Sequence, residues 1–134
     1  MNDPIAIPNQ PAYDPHRDVL NRLLDSYPEI RGVVLARTDG FEVASATRDS
    51  LSVSRVSAIA SSLVALGQAA LRELGLGAGG SVLVDGSNGK LLLIEFKQQN
   101  CELVLALLGD KDLVTGTLLW AARDCVKSLE TLTV

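Results

Sequence analysis

The chain has 134 residues, of which 47% are hydrophobic and 21% charged, and a formal net charge of −4. That length holds one domain with a real core, and the composition is that of a soluble globular protein. The acidic balance and the scattered Lys and Arg exclude a general nucleic-acid binder, which needs a basic face, and adhesion to anionic membranes.

Residues 1–13 carry Pro4, Pro8 and Pro11 among Asn, Gln and Ala. Proline removes backbone donors, so this stretch reads as a flexible arm, with residues 14–134 as a single domain. With no charged leader or continuous apolar run, it is not expected to be a signal peptide. Asp14 followed by Pro15 is a helix start, a side-chain cap and then a proline at the first helical position. Leu20, Leu23, Leu24 and Tyr27 make a one-sided stripe that Pro28 ends. Two β-rich runs follow, Gly32–Arg37 and Phe41–Ala46, around Asp39-Gly40, a strong hairpin signal.

Between Val56 and Leu71 there is no charged residue. Ser52 or Ser54 can cap this helix and Gly75 can end it. At the helical period Val56, Ile59, Ala60, Leu63, Leu66, Gly67, Ala70 and Leu74 share a broad face expected to lie on the core. The opposite face holds Ala58, Ser62, Ala65 and Ala69, with Ser57, Ser61, Val64 and Gln68 on its shoulder. Arg55, Arg72 and Glu73 stand only at the ends. A smooth face of small residues lets a second helix approach closely, so this helix is expected to be buried on two sides. A membrane span needs ~20 apolar residues, and this stretch is shorter and dotted with serines, so no membrane insertion is expected.

Ser81–Asp85, Leu91–Phe96 and Glu102–Leu108 read as three further strands, joined by turns at 86–89 and 98–100. LLLIEF and LVLALL are apolar on both pleat faces and belong centrally in a sheet covered on both sides. A last helix spans about 112–131 with a core stripe of Val114, Leu118, Leu119, Ala122, Cys125, Val126 and Leu129. The resulting fold is α/β of the α+β type, a five-stranded antiparallel sheet in the order α-β-β-α-β-β-β-α. Two helices cover one face and the long helix covers the other.

The chemistry-bearing residues are few. GLGAGG at 75–80 runs from a helix into a strand, the reverse of a phosphate loop, and no lysine follows. His16, the single histidine, has no ligand-spaced partner, and no serine sits in a GxSxG elbow. No catalytic residue, cofactor or metal is expected. Cys101 and Cys125 read as buried free thiols in a reducing compartment, which places the chain in the cytoplasm. Trp120 lies off the core stripe of the last helix, where it either anchors a partner or packs on the first helix.

The ordered set of the leucine-bearing first helix with Pro28 and Ile30, GVVLARTDGFEVAS, the small-residue middle helix and SVLVDGSNGKLLLIEF resembles the roadblock/dynein light chain family over residues 16–131. The resemblance implies a non-catalytic dimer with a profilin/longin-like roadblock fold, middle helices side by side and third strands joined into one sheet. By position the homodimer contact falls on Ser57, Ser61, Val64, Ala65 and Gln68, and on the third strand with Val82 and Val84. Ala58, Ser62, Ala69 and Trp120 are then left as contacts for another partner. The implied function is regulation or scaffolding of a small Ras-like GTPase; gliding-type bacterial relatives resemble GTPase-activating partners. Two alternatives stand beside it, a signal-sensing domain of profilin/PAS-like shape with an internal pocket and a structural adaptor of dynein light chain type.

Overall fold

The computed structural model describes residues 13–132, so the expected arm lies, but for Tyr13, outside the described residues. The elements are α1 (Pro15–Ser26), β1 (Ile30–Arg37), β2 (Glu42–Thr47), α2 (Val53–Glu73), β3 (Ser81–Gly86), β4 (Gly89–Gln98), β5 (Cys101–Asp110) and α3 (Thr115–Glu130). The Asp14 carboxylate accepts from the backbone N–H groups of His16 and Arg17 and starts α1, with Pro15 in the first turn. At the other end the Arg48 guanidinium donates to the carbonyls of Leu24, Tyr27 and Ile30, bracing the end of α1 and the turn that leads into β1.

The sheet is antiparallel throughout, in the order β2-β1-β5-β4-β3. β1–β2, β3–β4 and β4–β5 pair as hairpins, and β5 returns beside β1 to close the centre. The β4–β5 hairpin turns on Gln99 and Asn100, both with positive φ, the backbone handedness that matches the twist of the flanking strands. Leu103 to Leu107 of β5 are all buried, as are Val33 to Ala36 of β1, because alternate residues enter two separate cores.

One core joins α1 and α3 to the sheet through Leu20, Leu35, Leu92, Leu105, Leu118 and Leu129. The second, smaller core lies under α2 and consists of Val34, Val56, Ala60, Val64, Leu93, Val104 and Ala106. Two helices therefore cover one face and α2 the other, as expected.

The last helix departs from expectation at its start. It begins at Thr115 with Val114 at the cap position and no side-chain cap. Val114 is 68% exposed, and Leu113, pointing the other way from the turn, is buried in its place. Trp120 does not pack on α1, since it is 69% exposed.

Candidate interaction surface

The sheet dictates how α2 is rotated. Val56, Ser57, Ala60 and Val64 are its buried residues. Ser57 is fully buried and donates its hydroxyl to the Val53 carbonyl at 2.9 Å, so the polar atom is satisfied within its own helix. Gly67 lets the helix approach β3, since a Cβ there would lie 3.1 Å from a Val82 methyl. The Gln68 amide donates to the Gly79 carbonyl at 2.7 Å and to Glu95 Oε1 at 2.9 Å, tying the helix to the segment that opens β3.

This rotation corrects the expected core face. Ile59, Leu66 and Leu74, read as core, are 45%, 67% and 69% exposed. Ser57 and Val64, read as an outward shoulder, face the sheet of their own chain. Ser61 is half-buried, donates to the Ala58 carbonyl at 3.1 Å and lies beneath the β1–β2 turn near Gly40. Ala58, Ser62 and Ala65 are exposed and Ala69 is half-buried. The outward surface of α2 therefore combines the expected small residues with an unexpected apolar flank of Ile59, Leu66 and Ala70. A signal for it was present, because Arg55 and Glu73 stand about five helical turns apart at 3.6 residues per turn and so mark one azimuth. That azimuth passes between Ser62 and Leu66, the middle of the exposed side.

Beside this flank lies a sheet edge. β3 pairs only with β4, from Ser81 opposite Ile94 to Gly86 opposite Gly89, so its outer backbone groups have no strand partner among the described residues. Leu83 and Val84 are 42% and 44% exposed, and Val82 is half-buried against the α2 core. Asp85 is the strand's single charge. A long apolar edge of this kind invites a further strand. Two open grooves flank it. One, of about 230 Å³, runs between the last turns of α2 and the start of β3, with Ala70, Leu71, Leu74 and Val82 on its walls. The other, of about 310 Å³, exposes Val84, Leu91 and Leu108 on the sheet face beyond the cover of α2.

The remaining side chains carry little chemistry. Among the described residues no group of three His, Cys, Asp or Glu could hold a metal ion. The two cysteines differ, which corrects the expectation that both are buried: Cys125 is buried on α3, and Cys101 is exposed at the start of β5. Burial, helped by the Asp124 carboxylate and opposed by Arg22, pushes the Cys125 thiol up to about 12. A thiol held neutral and covered does not react, because the thiolate is the nucleophile. A disulfide reagent at pH 8 is therefore expected to modify one thiol per folded chain, at Cys101, and a second only in denaturant, counted by mass spectrometry.

Solved structures share this architecture. The Roadblock/LC7 domain from Streptomyces avermitilis superposes with a TM-score of 0.74 at 24% identity, covering 84% of this chain and 92% of that one. Gliding protein MglB from Thermus thermophilus superposes with a TM-score of 0.75 at 17% identity, covering 93% and 96%. MglB from Myxococcus xanthus does so at 0.74 and 16% identity, covering 86% and 91%. No curated protein matches the sequence. The sequence model of the Roadblock/LC7 domain matches residues 17–109, from α1 into β5, and therefore takes in α2, β3 and the flank and edge they expose. With most of its length matched by that model and its fold shared by the solved domains, the chain belongs to the Roadblock/LC7 domain family.

Proposed function

We propose that the chain self-associates through the α2 flank and the β3 edge, and that the resulting dimer regulates or scaffolds a small Ras-like GTPase in the cytoplasm without supplying catalytic residues. The observation that carries this reading is the juxtaposition of an apolar helix flank and an unpaired strand edge on one side of the molecule. A two-fold axis beside β3 lets the same patch serve both copies, α2 lying along α2 and β3 extending the sheet into β3. Of the residues expected at this seam by resemblance, Val82 and Val84 keep free surface there, while Ile59, Leu66 and Ala70 join them; Ala65 is exposed on the small-residue side of α2 instead. Solved relatives of the fold include an MglB with a tetrameric arrangement, which supports self-association as a property to look for.

The small-residue side of α2, with Ala58, Ser62 and Ala69, then faces outward from the helix pair and is the surface assigned to the GTPase. The family resemblance supports that partner class, and the shortage of titratable groups on the surface supports a non-catalytic role. Any acceleration of hydrolysis would come from ordering groups of the GTPase itself. The test is capture of a small GTPase from the same organism, loaded with a GTP analogue or with GDP, by the immobilised chain. Retention that depends on the nucleotide is expected; equal or absent retention across the organism's small GTPases contradicts the regulatory reading.

A further inference from the structure

Phe41 is a large apolar side chain that the fold leaves in water. It is 66% exposed, stands one residue before β2 and belongs to neither core. The β1–β2 turn nevertheless holds it in place. Its carbonyl accepts from the Arg37 N–H at 2.8 Å, and its own N–H donates to Asp39 Oδ1 at 3.3 Å. The Gly40 N–H donates to the Arg37 carbonyl at 2.9 Å and closes the turn.

The ring is braced as well as the backbone. The Arg37 guanidinium carbon stands 5.7 Å from the centroid of the Phe41 ring, within reach of a cation–π contact. Arg37 is itself paired with Asp39 at 2.6 Å, so its charge is balanced where it meets the ring. The turn thus presents a held aromatic side chain whose free surface is apolar.

This turn stands against α2. A Cβ on Gly40 would lie 3.4 Å from Ser61 Oγ and 4.0 Å from the Ala58 Cα. At 3.6 residues per turn Ser61 lies about 140° round the helix from Leu66. The hairpin tip therefore borders the small-residue side of α2 and stands away from the flank assigned to self-association. That side offers a partner little to grip, because Ala58, Ser62 and Ala69 allow close approach but bury little area. Interfaces concentrate their energy in a few anchors, often aromatic, ringed by contacts that are nearly neutral. A side chain already held loses less freedom on binding than a mobile one.

We propose that Phe41 is the anchor of the α2 surface, a role that rests on the reading of that surface as the GTPase side. The ring enters an apolar pocket on the GTPase while the small residues of α2 pack around it. The experiment titrates the organism's purified small Ras-like GTPases, loaded with a GTP analogue, against the full-length chain and its Phe41→Ser variant. The variant should bind the GTPase that the native chain takes at least about ten-fold more weakly. The loss should be the same at low salt and at about 0.5 M salt, because the missing contact is apolar. Far-UV dichroism and the self-associated mass should match the native protein. A smaller loss overturns the anchor and leaves the GTPase reading standing. So does a loss confined to low salt, which makes the contact ionic, or a changed mass, which puts Phe41 in the seam. A native chain that binds none of those GTPases overturns the anchor and the GTPase reading together.

Discussion

Leu66→Glu is expected to convert the chain into a monomer that keeps its fold. Leu66 is 67% exposed on α2 and touches neither core, so its replacement costs the isolated domain little. In the proposed dimer the same position lies on the apolar flank of both copies. A carboxylate buried there without a partner costs about 3 kcal/mol per copy, and the two-fold axis doubles it, so association weakens by roughly 10⁴-fold. Sedimentation equilibrium should find the 14.2 kDa chain mass at micromolar concentration, with native far-UV dichroism. A Leu66→Glu protein that retains the self-associated mass would place the seam elsewhere.

Leu105→Ala is expected to produce the largest loss of stability. Leu105 is fully buried at the centre of β5, between β1 and β4, and packs in the core beneath α1 and α3. Truncation removes its transfer free energy and leaves a cavity that a central strand cannot collapse to fill, costing about 3 kcal/mol. For a domain of this size that lowers the thermal midpoint by roughly 10 °C, measurable by calorimetry. Leu83→Ala on the β3 edge serves as the contrast. Its side chain is 42% exposed and belongs to neither core, so the monomer should barely register its loss.

The two substitutions separate what local pattern can reveal from what it cannot. β4 and β5 were legible because their runs are apolar on both pleat faces, a pattern that only a doubly covered central strand requires. Asp14-Pro15 and Asp39-Gly40 were legible because cap and turn chemistry act over a few residues. The azimuth of α2 was legible only in the positions of Arg55 and Glu73 and not in its apolar pattern, because that helix has two apolar stripes. Val56, Ala60 and Val64 form one, and Ile59, Leu66 and Ala70 the other, so periodicity alone cannot choose between them. The sheet chooses, since Val34, Leu93, Val104 and Ala106 present a shallow surface that takes the smaller stripe. The larger side chains are left outside, and the site residues read from the small-residue face shift accordingly: Ser57 and Val64 turn inward while Ala65 stays out. Val114 and Leu113 exchanged places for a similar reason. The turn before α3, where the Leu113 N–H donates to the Asp110 carbonyl, sets which of two adjacent apolar residues points at the core.

In the proposed dimer a second copy of the chain covers the flank of α2 and the edge of β3. Residue-resolved amide hydrogen exchange of the purified native chain tests it most directly. In an isolated molecule the amides of Ser81–Gly86 that point away from β4 have no strand partner and should exchange rapidly, alternating with protected neighbours that bond to β4. In the dimer the strand becomes internal in a continuous sheet, so slow exchange is expected on both sides of β3 and should be lost in Leu66→Glu. Alternating fast and slow amides along β3 in the concentrated native protein would contradict the claim.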